Sequence, residues 1–253
     1  MNFNRTTDYL ALDFDGVVIN SVEECLFVSF NAYEELTGSA PITSLKHIAP
    51  KIIDEFKRMR NFIRAGADFV YIIMAISTNI KITSQQEFDD FCHSHKELEK
   101  TFFDTFYKHR EQLSSGNPEL WLKLNPLYHG MQDFLLQYPD KERLFIITTK
   151  KIFFVQKILS FYNIPFIDAH LFHADKTRSK KNIILELLDK YNIDPHHFWF
   201  IDDQVDTLIQ VRDIQINCLL AEWGYNDSEQ VLLGKQHHIP AINLDDLKRI
   251  FVF

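Results

Sequence analysis

From Leu124 to the C-terminus the chain alternates between two patterns of apolar positions. Short apolar runs with β-branched and aromatic residues predict strands: LFIIT at 144–148, IDAHLF at 167–172, FWFI at 198–201, CLLAEW at 218–223 and a late one near Ile239 to Ile242. Between them the spacing becomes helical. Ile152, Val155, Leu159 and Tyr162 share one face, as do Ile183, Ile184, Leu187, Leu188 and Tyr191, with Ser179 as the expected N-cap of the second helix. Apolar strands alternating with helices predict an α/β fold with a parallel sheet covered on both faces.

The stretch from 21 to 124 reads almost entirely as helix. Ser21-Val22-Glu23-Glu24 and Ser84-Gln85-Gln86-Glu87 fit the capping box, in which Ser and Glu satisfy exposed backbone N–H groups. Phe88, Phe91, His95, Leu98, Phe102 and Phe106 then follow one face of what reads as a long amphipathic helix. Asn125-Pro126 breaks that pattern. The expected organisation is therefore a core of residues 1–20 and 125–253, with residues 21–124 inserted as an all-helical domain.

Composition narrows the class. The formal net charge of -8 argues against an extended phosphate backbone as partner, so no nucleic-acid role is expected. Cys25, Cys92 and Cys218 stand far apart, which fits a reducing compartment and gives neither a disulfide framework nor a zinc site. The start of the chain lacks the layout of a signal peptide. The apolar stretch from Phe62 is too short to span a bilayer and carries Arg64 and Asp68. A soluble cytoplasmic protein without membrane contact is expected.

Candidate chemistry collects where the strands end, as it does in open parallel sheets. Asp13 and Asp15 follow Leu10-Ala11-Leu12 and precede Gly16, which permits a turn. Two carboxylates so close repel unless a cation or proton intervenes. Asp202, Asp203 and Asp206 follow another buried run; Asp206 is also a candidate cap for the next helix. Together these acids would suit a hard cation such as Mg2+. Thr148 and Thr149 end a third strand, where a hydroxyl beside helix N–H groups can hold phosphate oxygens or simply cap the helix. Lys180 and Lys181 open a helix, a position where cations oppose the dipole and an anionic partner offsets the cost. Arg58, Arg60 and Arg64 form a basic group, with Arg60 and Arg64 on one expected helical face; a solvated surface is the competing reading. His93 and His95, His196 and His197, and His237 and His238 lack partners at metal-ligand spacing.

Asp13-Phe14-Asp15-Gly16-Val17-Val18-Ile19-Asn20-Ser21 resembles the first motif of the haloacid dehalogenase superfamily. Ile147-Thr148-Thr149-Lys150 is similar to its second motif and Asp202-Asp203-Gln204-Val205-Asp206 to its fourth, while Lys180, Lys181 or Lys176 supplies the lysine of the third. Leu127-Tyr128-His129-Gly130 and Trp223-Gly224-Tyr225 are similar to stretches of phosphoglycolate phosphatase-like members. Ile201 stands where the family usually has glycine, which leaves open whether Asp202 or Asp203 meets the metal.

The resemblance implies a Rossmann-like core with a first-type helical cap, and a Mg2+-dependent phosphatase acting on a small phosphorylated metabolite. In it Asp13 is the nucleophile and Asp15 the acid and base. Thr148, Thr149 and Lys180 meet the phosphoryl group, with Arg60 and Arg64 as further substrate contacts. Asp13, Asp15, Asp202, Asp203 and Asp206 serve the metal. A phosphomutase with the same core chemistry, or a phosphate-binding protein without turnover, are the alternatives.

Overall fold

The computed structural model describes residues 3–252. The chain divides into two compact units, Ser21–Asn125 and a discontinuous one made of Met1–Asn20 with Pro126–Phe253.

The continuous unit is helical: α1 (Val22–Thr37), α2 (Pro50–Met59), α3 (Asp68–Ser77), α4 (Gln85–Ser94), α5 (Glu99–Gly116) and α6 (Pro118–Lys123). Phe56, Val70, Ile72, Ile73, Phe88 and Phe106 are fully or almost fully buried at its centre. The apolar stretch from Phe62 becomes the buried α3. Among the described residues no helix is long and apolar enough to cross a membrane.

Two expectations for this unit need correction. Ser21 stands at the N-cap of α1 but makes no side-chain cap bond. Glu24, its expected partner, turns inward, where it accepts from Arg110 Nε at 2.8 Å, Arg110 NH2 at 2.7 Å and Trp121 Nε1 at 3.2 Å. Ser84 does cap α4, accepting from Glu87 N, while Glu87 Oε2 accepts from Thr83 N. The long helix expected after Ser84 is broken at His95. Its Nδ1 donates to Phe91 O at 2.9 Å, and Tyr71 donates its hydroxyl to the His95 carbonyl at 2.7 Å. That carbonyl would otherwise accept from residue 99 in a continuous helix.

The discontinuous unit contains a six-stranded sheet: β1 (Tyr9–Leu12), β2 (Leu144–Thr148), β3 (Leu171–His173), β4 (Phe198–Asp202), β5 (Asn217–Ala221) and β6 (Ala241–Ile242). Its order is β3-β2-β1-β4-β5-β6, with every pairing parallel. Helices α7 (Met131–Gln137), α8 (Ile152–Phe161), α9 (Lys180–Lys190), α10 (Val205–Val211), α11 (Ser228–Gln236) and α12 (Leu244–Phe251) accompany the strands. β1, β2 and β4 are buried on both faces except at Tyr9, which explains their continuous apolar runs. Ser179 caps α9 as expected, accepting from Asn182 N. The expected strand at 167–172 shortens to β3, because residues 168–170 form a 3-10 turn.

The register positions the chemistry. Leu12 pairs with Ile146 on one side and Ile201 on the other. The chain winds outward from β1 in both directions, so the crevice between the ends of β1 and β4 is the topological switch point of the sheet.

Candidate active site

Asp13 follows β1 and extends its ladder by one bond, donating its N–H to Ile201 O at 2.8 Å. Asp202 is the last residue of β4, and Asp203 comes next. Strand pairing thus carries Asp202 beside Asp13, and Asp203 follows it directly in the chain. Oxygens of Asp13, Asp202 and Asp203 lie within 4.8 Å of one another, and all three residues are buried. Lys180, in the first turn of α9, donates its ammonium to Asp13 Oδ1 at 2.8 Å and Asp202 Oδ2 at 2.7 Å. Its neighbours lie elsewhere: Lys181 pairs with Asp213, and Lys176 is exposed on the preceding loop.

Electrostatics here are governed by burial. It pushes the Asp13 carboxyl well above the usual carboxylate range; Lys180 opposes that rise, and Asp202 and Asp203 add to it. For Lys180, burial lowers the ammonium pKa, but Asp13 and Asp202 outweigh it and the net shift is upward. One ammonium faces three carboxylates, so the cluster holds excess negative charge on hard oxygen donors. That donor set fits a divalent cation of the Mg2+ type.

Asp15 leaves this group. The turn after β1 closes through Gly16 N to Ile19 O at 2.9 Å and Val18 N to Phe14 O at 2.9 Å. Gly16 has φ +90, the left-handed region that favours glycine. Asp15 accepts from Lys150 Nζ at 2.9 Å. The Lys150 side chain is only 1% exposed. Sequence reasoning did not single out Lys150, since lysine after a strand is ordinarily a solvated residue. Its place two residues after Thr148 was the available signal. Thr148 is buried at the end of β2, and its Oγ1 accepts from Lys150 N at 3.1 Å. It therefore does not cap α8, whose N-cap is Lys151; Thr149 is exposed.

Asp206 lies within the first turn of α10, outside the group of three acids, and Gln204 rather than Asp206 is the N-cap. Arg60 and Arg64 belong to the helical unit and share no helix, because α2 ends at Met59. Arg60 is buried, 5.0 Å from the Phe69 ring centroid. Arg64 donates to Asn61 O at 2.6 Å, Ile63 O at 3.1 Å and Gln85 Oε1 at 3.0 Å. Arg58 pairs with Glu55 and donates to Ile82 O at 2.8 Å.

A parallel sheet with acids at the ends of β1 and β4, a hydroxyl at the end of β2 and a lysine opening α9 defines a class, and the chain belongs to the haloacid dehalogenase-like hydrolases. The model of that family matches residues 7–209. The phosphoglycolate phosphatase of Psychrobacter arcticus is 25% identical over 225 residues, covering 88% of this chain and 86% of that protein. Among solved structures, two illustrate the shared fold. A haloacid dehalogenase-like family hydrolase from Streptococcus pneumoniae matches with a TM-score of 0.59 at 15% identity, covering 98% of each chain. A predicted phosphoglycolate phosphatase from Haemophilus somnus matches with a TM-score of 0.62 at 16% identity, again covering 98% of each.

Proposed function

We propose that this chain is a Mg2+-dependent phosphatase that hydrolyses a small phosphomonoester through an aspartyl-phosphate on Asp13. The observation that carries the reading is the separation of the two carboxylates after β1. Asp13 sits among Asp202, Asp203 and Lys180, whereas Asp15 is turned to Lys150. One carboxylate is thus prepared to meet phosphorus and the other to meet a leaving oxygen.

In the first step a carboxylate oxygen of Asp13 forms a bond to phosphorus as the ester P–O bond breaks. Asp15 gives its proton to the departing alkoxide. In the second step Asp15 takes a proton from water as that water attacks phosphorus. The bond to Asp13 breaks and its carboxylate returns. Thr148 and Lys180 hold the phosphoryl oxygens as charge shifts among them. Lys150 keeps the Asp15 carboxylate aimed. Mg2+, held by the Asp13, Asp202 and Asp203 carboxylates and the Asp15 backbone carbonyl, would offset the charge of an anionic nucleophile approaching an anionic phosphate. Displacing halide needs no leaving-group proton, so an acid at position 15 favours phosphate esters.

Phosphate release from p-nitrophenyl phosphate tests this, with Mg2+ and with EDTA, for wild type and Asp13→Asn. Turnover that requires metal and falls at least about a thousandfold in the variant is expected. Equal activity in both proteins would discard the mechanism. Because the relative from Psychrobacter arcticus is a phosphoglycolate phosphatase, phosphoglycolate leads the panel of small phosphomonoesters to follow.

A further inference from the structure

The segment Trp223-Gly224-Tyr225-Asn226 follows β5 and takes no part in the steps above, yet its contacts converge on groups that do. The Tyr225 N–H donates to Asp203 Oδ2 at 2.8 Å. Asn226 Nδ2 donates to Ala221 O at 2.8 Å and to Asp203 O at 3.3 Å. Gln204 Nε2 donates to Tyr225 O at 3.2 Å. On its other side, Trp223 Nε1 donates to Val17 O at 3.0 Å and the Tyr225 hydroxyl to Asn20 Oδ1 at 3.2 Å. One short segment is thereby tied both to the end of β4 and to the turn after β1.

The glycine in this segment is required by space. A Cβ on Gly224 would stand 2.2 Å from Asp203 Cβ and 2.5 Å from Gly16 O. Across the carboxylate, a Cβ on Gly16 would stand 2.3 Å from Asp203 Oδ2. Gly16 has its positive φ as a separate reason to be glycine; Gly224 has none. Asp203 is thus walled between two bare Cα atoms, with the Tyr225 amide directing one of its oxygens.

We infer that Trp223–Asn226 is a brace that sets the direction of the Asp203 carboxylate, and that the missing side chain of Gly224 is a determinant of metal affinity. Gly224 is a positioning residue, acting through Asp203. The inference rests on the Mg2+ reading above, and the two fail differently.

The test is calorimetric titration of Mg2+ into the whole chain without substrate, for wild type, Gly224→Ala, Trp223→Phe and Gly116→Ala. Gly116 ends α5, where an added Cβ meets nothing within 4 Å. Groups that orient metal ligands typically change affinity by about 10–100-fold, so Gly224→Ala should weaken Mg2+ binding at least about tenfold. Its melting temperature in EDTA should fall somewhat, since the added Cβ presses on Asp203 Cβ and Gly16 O. Affinity is therefore read at a temperature where the variant is folded, and there raised Mg2+ should restore its phosphate release. A Gly224→Ala protein binding within about twofold of wild type overturns the inference, as does an equal loss in Gly116→Ala. Should Gly224→Ala not fold, Trp223→Phe decides: about threefold weaker binding supports the brace, and unchanged binding removes it. A wild type that releases phosphate yet binds no Mg2+ refutes the metal reading, and the brace with it.

Discussion

At the scale of single residues, Lys180 is the side chain on which the acidic cluster depends. It bridges Asp13 and Asp202 from a position that is itself almost buried. Removing one partner of a buried ion pair strands the other charge, at a cost of about 3–5 kcal/mol. Lys180→Met is therefore expected to lower stability in EDTA by about 3 kcal/mol, read from urea denaturation, and to abolish phosphate release. A variant as stable as wild type would mean that the acids already share protons and need no ammonium. Lys150 teaches a related lesson. Lysine is ordinarily assigned to solvent, and its spacing from Thr148 does not by itself say that this side chain turns inward to Asp15.

At the scale of elements, local signals succeed where the competing interactions are also local. Ser179 caps α9 through a contact only three residues long, its hydroxyl accepting from the Asn182 N–H. The pattern at Ser21 is equally good, but Glu24 is claimed by Arg110, which lies 86 residues away in sequence. That pair is bidentate and fully buried, and Glu24 holds the Arg110 guanidinium firmly protonated against the effect of burial. Glu24→Gln keeps the shape and removes the charge. It should destabilise the helical unit by about 3 kcal/mol, measured by the loss of helical circular dichroism in urea. A loss below about 1 kcal/mol would show that the amide replaces the carboxylate. The break at His95 has the same origin, since the carbonyl that ends α4 is taken by Tyr71 from α3.

At the scale of the whole molecule, β1 lies between β2 and β4 although more than a hundred residues of other structure follow it in sequence. Its two ends do different work. The carboxyl end carries Asp13; the amino end is anchored by the buried Asp8, which accepts from Asn4 N, Thr7 Oγ1, His197 Nδ1 and Trp199 Nε1. Burial raises the Asp8 pKa, but these hydrogen bonds together outweigh it and hold the carboxyl below its ordinary value. A carboxylate with a depressed folded pKa adds stability above its unfolded pKa and loses it as pH falls through the folded one. The acid limb of the stability curve below about pH 4 should therefore flatten in Asp8→Asn, as measured by urea midpoints from about pH 5 to about pH 2.5. An unchanged acid limb would assign it to other carboxylates.

Short-range periodicity makes most of the strands, the alternation behind the parallel sheet and the acids at the strand ends legible along the chain, whereas the run at 167–172 keeps only its end as β3. Along the chain Lys180, Lys181 and Lys176 all stay candidates for the lysine of the site, and only the packing of α9 brings Lys180 to Asp13 and Asp202. Tertiary structure decided which groups meet. Strand pairing set Asp202 beside Asp13, with Asp203 next in the chain, while the turn at Gly16 sent Asp15 to Lys150. The approach of Gly224 to Asp203 was invisible along the chain, where the two are 21 residues apart. Contacts of that kind depend on which backbones are brought within van der Waals distance, and no local propensity encodes them.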